Sequence, residues 1–428
     1  MTVKEKLQDS FQRVAARALT TVERVQTGAG WNPLDAGYLR DPYPTYRRLR
    51  ERDPVHRSRL VQGALVLTRY DDIVSVLRDP NARADGRKHP EYPKQRARME
   101  EARLIEPDEA DAISMLTSDP PDHTRLRSLV SKAFTPRSVD SLRPRIEAIV
   151  HEHLDAVAAN GRMDVIEDLA YPLPVIVIAE MLGVPASDRN QFKAWSDEIV
   201  LGLGISSLED ARRSRKAVRE LQAYFARVAE ERRREPREDL LSALVAAEDE
   251  GDRLTAAEVY QTCNLLLVAG HETTTNLIGN GLLALLRHPE QLELLRRDPS
   301  LIDGAVEEFL RYDSPVQATA RFSAEGFQID GHHAAPWQQV FLLLGAGNRD
   351  PAQFADPERL DVTRKDVKVL SFGHGIHYCL GAPLARIEGP IALRATIERF
   401  PNMRLATGRP EWNKNLILRG LKSLPITF

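Results

Sequence analysis

The chain contains very little cysteine and carries almost no net charge. Of its 428 residues only Cys263 and Cys379 are cysteines, and they form no CxxC or CxxCH pattern. Disulfide scaffolds, thiolate zinc sites and covalent c-type haem attachment are therefore excluded. Lys and Arg total 59 against 62 Asp and Glu, a net charge of −3, so no overall charge attracts nucleic acid or an anionic membrane.

Long hydrophobic runs are absent as well. The first 25 residues are charged throughout and lack the apolar core of a signal peptide or anchor. The most apolar run, at 265–270, is too short to cross a bilayer. With 42% hydrophobic and 28% charged residues, the chain can nevertheless bury a large core. We expect a cytoplasmic protein with no membrane anchor and no nucleic-acid partner.

Proline and glycine divide the chain into many helical segments and a few short strands. Strand patterns occur near 64–68, 319–328 and 340–344, and the pattern at 416–428 predicts a terminal hairpin. Residues 84–111 are densely charged and predict a long surface loop with about one helical turn, either a mobile lid or a solvated excursion. The chain is expected to be mainly α with a small β-rich lobe.

A strong helix start lies at Asp119, which can cap a helix whose first residue is Pro120 and whose first turn contains Asp122. His123 and Arg127 are four residues apart and share a face of this helix. Such a pair is usually a solvated surface feature, and it predicts a binding site only where an anionic ligand lies nearby.

The longest predicted helix begins with a capping box at Thr255 and Glu258 and meets no proline before Pro289. It would be roughly 45–50 Å long and, being apolar on nearly all sides, buried. Its middle reads AGHETTT at 269–275, where glycine costs about 1 kcal/mol and consecutive threonines are poor helix formers. We interpret this defect as functional, since hydroxyls bond back to carbonyls and local opening makes room for a small ligand. The alternative is a packing glycine beside a Glu272 that reaches the surface.

Cys379 lies within FGHGIHYCLG at 372–381, just before another helical pattern. The glycines of this segment permit tight turns and the close approach of a flat ligand. A position at a helix N-terminus lowers the pKa of a thiol, so we expect Cys379 to be a ligand or a nucleophile. Cys263, on the apolar helix, better fits a small buried thiol.

FGHGIHYCLG resembles the haem-binding loop of the cytochrome P-450 superfamily, whose pattern FxxGxxxCxG is matched at Phe372, Gly375, Cys379 and Gly381. AGHET at 269–273 is similar to the oxygen-activation motif of that family. Glu308 with Arg311 resembles its ExxR pair, and PERL at 357–360 resembles the segment that supplies a third charged residue, here Arg359. The motifs occur in family order, and the resemblance extends from about Asp41 to the end of the chain.

The resemblance implies a single-domain cytochrome P-450 fold, mainly α with a small β-rich lobe and a long central helix crossing over the haem. Length alone suggests two or three domains. The expected division is instead a partly helical N-terminal extension at 1–40 and one haem-thiolate domain at 41–428.

The implied cofactor is haem b, iron protoporphyrin IX, with Cys379 as the axial thiolate whose electron donation favours O–O cleavage. Glu272 and Thr273 would relay protons to dioxygen. Glu308, Arg311 and Arg359 would form a structural ion network behind the haem loop. The other implied haem contacts are His123, Arg127, Arg321 and His377 at the propionates, Phe372 and Gly373 on the thiolate side, Ala269 and Gly270 on the opposite face, and Gly381.

The implied activity is that of a monooxygenase that activates O2 with electrons from a ferredoxin or flavodoxin and its NAD(P)H-dependent reductase. A basic patch of Arg125, Lys132, Arg137 and Arg386 would attract an acidic ferredoxin. The substrate would be a small to medium apolar compound, such as a steroid, terpenoid, fatty acid or polyketide, that is hydroxylated or epoxidised. Its pocket, roomy and aliphatic, would be lined by Met115, Leu116, residues 199–205, Leu266, Ala269, Val316, Ala318, Leu416 and Ile417.

Two departures from the family pattern are visible. Leu360 replaces a more usual aromatic residue, a tolerable core exchange. Gly389-Pro390 interrupts the helix after Cys379, which we expect to bend or end there. Three alternatives stay open: a peroxide-driven enzyme, which would more often lack the Glu272/Thr273 pair, a haem protein for sensing or sequestration, and, if the resemblance were accidental, an α-rich cytosolic protein with one reactive thiol.

Overall fold

Helices dominate the computed structural model, which describes residues 3–101, 113–131, 134–202, 208–249 and 254–428. The helices are α1 (Val3–Thr27), α2 (Ala36–Arg40), α3 (Tyr43–Arg52), α4 (Tyr70–Arg78), α5 (Tyr92–Glu101), α6 (Asp122–Ser131), α7 (Pro136–Asp140), α8 (Arg143–Ala158), α9 (Pro172–Met181), α10 (Arg189–Leu201), α11 (Leu208–Arg234), α12 (Leu240–Asp249), α13 (Ala256–Arg287), α14 (Pro289–Arg297), α15 (Ile302–Tyr312), α16 (Leu344–Gly347) and α17 (Ala382–Arg399). Short 3-10 turns lie at Gly86–Lys88, Ala186–Asp188, Pro299–Leu301 and Gly375–His377, and a π turn at Ile166–Ala170.

Short strands complete the fold: β1 (Val55–Ser58), β2 (Ala64–Leu67), β3 (Ala82–Arg83), β4 (Arg162–Asp164), β5 (Thr319–Ser323), β6 (Phe327–Ile329), β7 (His332–Ala334), β8 (Gln338–Leu342), β9 (Arg404–Leu405) and β10 (Pro425–Thr427). A five-stranded sheet has the order β1-β2-β8-β5-β3, in which β2 and β8 are parallel and the other pairs antiparallel. The predicted mainly α fold with a small β region is confirmed.

The chain divides into two compact units. Residues 1–83, 307–378 and 412–419 form the first unit, which contains the five-stranded sheet and the β6-β7 pair. One apolar core of this unit joins the sheet to α4, and another joins Trp31, Tyr38 and Tyr46 to Ala318. Residues 84–306, 379–411 and 420–428 form the second unit, in which α13 contacts α9, α10, α11, α12 and α17.

The N-terminal helix α1 is attached to the first unit by buried charges. Glu23 Oε2 lies 3.2 Å from His56 Nε2, and Asp53 Oδ2 lies 2.7 Å from His56 Nδ1. Burial lowers the pKa of His56, but the hydrogen bonds to Asp53 and Glu23 outweigh that effect and raise it to about 9. His56 is therefore a cation at neutral pH, held between two carboxylates.

Three sequence predictions of local structure are corrected. Helix α6 begins at Asp122 rather than Pro120, and the Asp119 carboxylate instead accepts a hydrogen bond from Ala84 N at 2.8 Å. The charged segment at 84–111 contains the ten-residue helix α5, which is longer than the single helical turn expected there. Residues 102–111 of this segment lie outside the described residues. The terminal hairpin is absent from 416–428, since β10 pairs with β4 and β9, and Leu418 forms a bridge with Val316.

Pro390 does not end α17, which runs unbroken from Ala382 to Arg399. A Cβ atom on Gly389 would lie 3.1 Å from Leu277 Cδ2 and 3.4 Å from Val306 Cγ1. The glycine therefore serves close packing of α17 on α13.

Within the described residues, no helix combines the length and the apolar character that crossing a bilayer requires.

Candidate active site

Helix α13 supplies the predicted acid and alcohol. It spans 32 residues, and its capping box is formed as predicted, with Thr255 Oγ1 accepting from Glu258 N and Glu258 Oε2 accepting from Thr255 N. The helix is continuous through the AGHETTT segment, so the expected local opening is absent. Thr273 Oγ1 donates to Ala269 O at 2.8 Å, which confirms that hydroxyls of this segment bond back to the preceding turn.

Gly270 allows a close helix contact. A Cβ atom there would lie 3.1 Å from two side-chain carbons of Ile178 on α9. The packing interpretation of this glycine is thus supported, whereas its companion expectation, a Glu272 that reaches the surface, is wrong. Glu272 is buried, while Ala269 on the same helix is exposed.

Glu272 is a buried acid with one amide partner. Burial raises its pKa, and the charge of Asp197 acts in the same direction, whereas a hydrogen bond from Asn276 Nδ2 to Oε1 at 3.3 Å lowers it. The protonated form of Glu272 is therefore favoured more than that of an exposed glutamate. A buried carboxyl with a raised pKa, followed by a hydroxyl on the same helix, is suited to proton transfer.

Cys379 lies three residues before α17, at the predicted helix N-terminus. The side chain is exposed, yet desolvation by the surrounding protein raises the pKa of the thiol. Backbone N–H groups of Gly381 and Ala382, then the charges of Arg127 and Arg386, lower that pKa. The expected net lowering is therefore wrong, because desolvation outweighs the donors that stabilise a thiolate.

The loop before Cys379 is fixed by glycine conformations and by α4. Gly373 and Gly375 have φ angles of +70° and +69°, in the left-handed region that favours glycine. A Cβ atom on Gly375 would collide with Leu77 O at the end of α4. Arg78 Nε donates to His374 Nδ1 at 3.3 Å, so the loop rests against the C-terminal turn of α4.

The other predicted haem contacts occur in both units. In the second unit, His123 is buried on α6 and Arg127 lies one turn further along the same helix, partly exposed. In the first unit, Arg321 is buried on β5 and donates to Ala320 O at 2.7 Å. Phe372 is buried, and His377 is half-buried at the end of the 3-10 turn.

Glu308 and Arg311 form the predicted buried ion pair, and both side chains are 0% exposed. Arg311 Nε lies 2.6 Å from Glu308 Oε2, and a second bond joins the other guanidinium edge to Oε1 at 2.8 Å. The remaining N–H groups donate to backbone carbonyls of Asn348, Pro357 and Arg359. All five guanidinium donors are thereby satisfied.

The third charged member of this network is Arg364, not Arg359. Arg364 Nε lies 3.1 Å from Glu308 Oε2, whereas Arg359 contributes its backbone carbonyl to Arg311. The prediction for the Arg359 side chain is therefore corrected. The physical reason is that the turn places the Arg359 carbonyl, rather than its guanidinium, against the buried pair.

Among the predicted substrate residues of the first unit, two segments meet. Gln317 N donates to Ile417 O at 2.7 Å, and Val316 forms a bridge with Leu418. Ala318 and Leu416 share one apolar core. In the second unit, Met115, Leu266 and Ile199 are buried and Leu116 is 60% exposed, while residues 203–207 lie outside the described chain.

Two polar residues of the site were not predicted. Asn348 accepts from Leu370 N at 2.7 Å and donates to Ser371 Oγ at 2.9 Å, which links the Arg311 network to the start of the loop.

Glu388 on α17 is buried beside Thr274, and burial raises its pKa to about 8. No spacing or motif marks either residue, because the partners of both are distant in sequence.

The sequence and the fold have matches among known proteins. The family model described as Cytochrome P450 matches residues 67–417. The chain is 45% identical over 422 residues, 95% of its length and 97% of the relative, to cytochrome P450 monooxygenase PikC of Streptomyces venezuelae. It is 41% identical to polyketide biosynthesis cytochrome P450 PksS of Bacillus subtilis, covering 93% of this chain and 98% of that protein.

The solved structure of P450BioI, in complex with acyl carrier protein ligated to hexadec-9Z-enoic acid, superposes with a TM-score of 0.84 and 39% identity. The match covers 92% of this chain and 100% of that one. Fold, motifs and relatives agree, and the chain belongs to the cytochrome P450 family.

Proposed function

We propose that this cytochrome P450 monooxygenase oxidises an apolar polyketide-type substrate, with Cys379 as the axial ligand of its haem b. The observation that carries the proposal is the pairing of two features: a thiol met by the N–H groups of Gly381 and Ala382, and a buried acid followed by an alcohol on α13. Bound haem supplies the activation of O2, and the thiolate donates electron density that favours O–O cleavage.

The residues around Cys379 fit a haem thiolate. Two backbone donors and the charges of Arg127 and Arg386 favour the ionised sulfur once it is bound. Ile376 and Tyr378 in the preceding loop are 52% and 37% exposed. Such apolar surface beside the thiol suits burial against a flat macrocycle, with His123, Arg127, Arg321 and His377 proposed for its propionates.

On the opposite face, we assign proton delivery to Glu272 and Thr273. Burial raises the pKa of the Glu272 carboxyl, which favours its protonated form, and the neighbouring hydroxyl can rotate from the Ala269 carbonyl towards a ligand. Thr273→Ala should keep haem and substrate binding but lower product formed per NAD(P)H by about tenfold or more. Thr273→Ser retains the hydroxyl and is the matched control. An unchanged product yield in Thr273→Ala would exclude this role.

The polyketide assignment is supported by apolar side chains and by the relatives. Met115, Leu266 and Ala318 are buried aliphatic residues, as a roomy apolar pocket requires. PksS is named for polyketide biosynthesis, and the P450BioI structure holds an acyl chain on a carrier protein. A carrier-bound acyl chain is therefore one form in which the substrate can be presented. The other proposed lining residues are Leu116, Ala269, Val316, Leu416 and Ile417.

We propose a cytoplasmic ferredoxin or flavodoxin, with its NAD(P)H-dependent reductase, as the electron donor. Of the predicted basic patch, Arg125 is paired with Glu258, and Lys132 lies outside the described residues. Arg137 and Arg386 remain part of the proposed patch. A rate of electron transfer that falls with salt would agree with an acidic donor. We further propose that 41–428 acts as one haem-thiolate domain preceded by the extension at 1–40.

The first experiment is the visible spectrum of the reduced protein under carbon monoxide. A strongly red-shifted Soret band that Cys379→Ala or Cys379→His abolishes would identify the axial ligand. Spectral titration with a macrolactone, a carrier-bound acyl chain, vitamin D3, testosterone and myristic acid then tests the substrate class. A preference for a steroid or secosteroid over both polyketide-type probes would refute the polyketide assignment. Turnover with hydrogen peroxide alone would identify a peroxide-driven enzyme.

A further inference from the structure

One buried histidine of α13 has no role in the mechanism above. His271 is 0% exposed and directly precedes Glu272. Its Nδ1 lies 2.9 Å from Ser196 Oγ on α10 and 3.4 Å from Leu267 O. Its Nε2 is buried without a hydrogen bond to the described residues and lies 3.7 Å from Glu272 Oε2.

The imidazole is neutral at physiological pH. Burial lowers the pKa of His271 to about 4, and the hydrogen bond to Leu267 O only partly opposes this. His271 and Glu272 are therefore not an ion pair, and what matters is which ring nitrogen carries the proton.

Two contacts decide that tautomer. Ser196 Oγ is the shorter partner of Nδ1, and a hydroxyl that donates to Nδ1 leaves the proton on Nε2. Once Glu272 has released its proton, a bare Nε2 lone pair would instead face the lone pairs of a buried carboxylate. The Nε2–H tautomer accepts from Ser196 and turns its positive N–H edge towards the carboxyl, whose Oε2 lies 3.7 Å away.

We propose that His271 is a positioning residue for Glu272: Ser196 holds the imidazole in the tautomer whose Nε2–H faces the Glu272 carboxyl. The histidine then stabilises Glu272 after it has released its proton and keeps the carboxyl oriented for the next one. The inference rests on the proposed role of Glu272 as the acid.

Other titratable groups near the histidine come from α10 and from the residue before α9. The Tyr171 ring packs edge-on against His271 with centroids 5.1 Å apart, and its hydroxyl donates to Asp197 Oδ1 at 2.5 Å. Lys193 lies 4.6 Å above the same ring. Burial raises the pKa of Tyr171 and that of Asp197. Of these groups, His271 turns its Nε2 towards Glu272 Oε2, at 3.7 Å.

Two substitutions separate the two nitrogens. In His271→Asn the amide can occupy the position of Nδ1, which preserves the Ser196 contact and removes the group facing Glu272. In His271→Gln the amide can reach the position of Nε2, which preserves a donor to Glu272. Ser196→Ala frees Nδ1 to donate to Leu267 O, so the lone pair of Nε2 faces the carboxyl.

The measurement is the titration of Glu272 itself in the haem-loaded protein. Infrared spectra of protein labelled with carbon-13 glutamate give the protonated-carboxyl band, which Glu272→Gln identifies by its loss. We expect the midpoint to rise by about 0.5–1 pH unit in His271→Asn and in Ser196→Ala. His271→Gln should stay near the parent. Cys263→Ala, a buried truncation two turns earlier in α13, should leave the midpoint unchanged.

The proposal is overturned if His271→Asn titrates like the parent, or if His271→Gln shifts as far as His271→Asn. Should a His271 variant fail to fold, Ser196→Ala alone decides, since its change lies on another helix. A Glu272→Gln variant with parental product per NAD(P)H would refute the acid role instead. These results are distinct, because the infrared midpoint does not depend on turnover.

Discussion

Arg359 and Arg364 belong to the same turn region but contact the buried pair through different groups. Arg364 reaches Glu308 Oε2 with its guanidinium, and Arg359 accepts from Arg311 through its backbone carbonyl. Of these two arginines, Arg364 is the one whose side chain compensates the buried Glu308 carboxylate. Arg364→Ala should therefore unfold at a lower denaturant concentration and bind less haem than Arg359→Ala. The loss for Arg364→Ala should be about 1–3 kcal/mol, and that for Arg359→Ala near zero.

Urea unfolding and the ratio of haem to protein absorbance measure both variants. Equal losses in the two variants would contradict the assignment. Glu308→Ala, which strands Arg311, is the reference for complete disruption and should cost about 3–5 kcal/mol.

The chemistry of single residues was predictable only where a motif fixed the spacing. Glu308 and Arg311 lie on one helix face three residues apart, and the pair follows from the sequence. The partner at Arg364 depends on how an irregular turn folds back, and no local periodicity encodes that. The predicted direction of the pKa shift of the Cys379 thiol was wrong for a related reason. The position of a residue on a helix is a local property, whereas its desolvation is set by tertiary packing.

At the scale of elements, the contact of α13 with α17 depends on Gly389. An alanine there would place its Cβ against Leu277 and Val306. Gly389→Ala should therefore destabilise the protein by about 1–3 kcal/mol through overpacking. Gly304 on α15 is the matched control, since a Cβ there would meet no atom within 4 Å.

Gly304→Ala should stabilise the protein by up to about 1 kcal/mol, because it removes the helix-propensity cost of glycine. Thermal unfolding of the two variants measures the opposite signs. If both variants moved in the same direction, the packing argument for Gly389 would fail.

Element types were more predictable than element partners. Apolar periodicity and the capping box gave α13 with its first residue, and alternation gave β2, β5 and β8. The strand at Pro425–Thr427 was placed in a hairpin because alternation specifies a strand without specifying its neighbour. Pro390 was expected to disrupt α17, yet tertiary contacts of the helix override its intrinsic cost.

For the whole molecule, two buried groups make the free energy of unfolding decrease as the pH rises, each over its own pH range. The pKa of His56 is raised to about 9, so the stability it contributes is complete below about pH 6.5 and is lost as pH rises through 9. The pKa of Glu388 is raised to about 8, so the folded state binds an extra proton between about pH 4.5 and 8 and loses stability as pH rises across that range.

The free energy of unfolding should therefore fall from about pH 4.5 to 8 because of Glu388 and from about pH 6.5 to 9 because of His56, by up to about 1.4 kcal/mol per pH unit for each group within its own range. Urea unfolding at several pH values measures the slope. Glu388→Gln should flatten the slope below about pH 8, and His56→Gln should flatten the part that extends to pH 9. A slope that neither variant changes would show that other groups control it.

Family membership was predictable from about Asp41 to the end of the chain, because the motifs there are short, chemically specific and ordered. The domain division and the substrate depend on long-range packing and on side chains that no motif fixes. For the substrate, the sequence therefore predicts a class of compound and not one particular compound.

The complete satisfaction of Arg311 also bears on how this chain can be altered in the laboratory. A lysine would keep the charge but offer three donors where the fold presents acceptors for five. Libraries that randomise this position should return colourless clones even for the charge-conserving exchange, whereas the buried Leu360 should accept other apolar residues. Substitutions intended to change the substrate are therefore best made away from the buried network of Glu308, Arg311 and Arg364. Side chains that contact only aliphatic neighbours are the better positions.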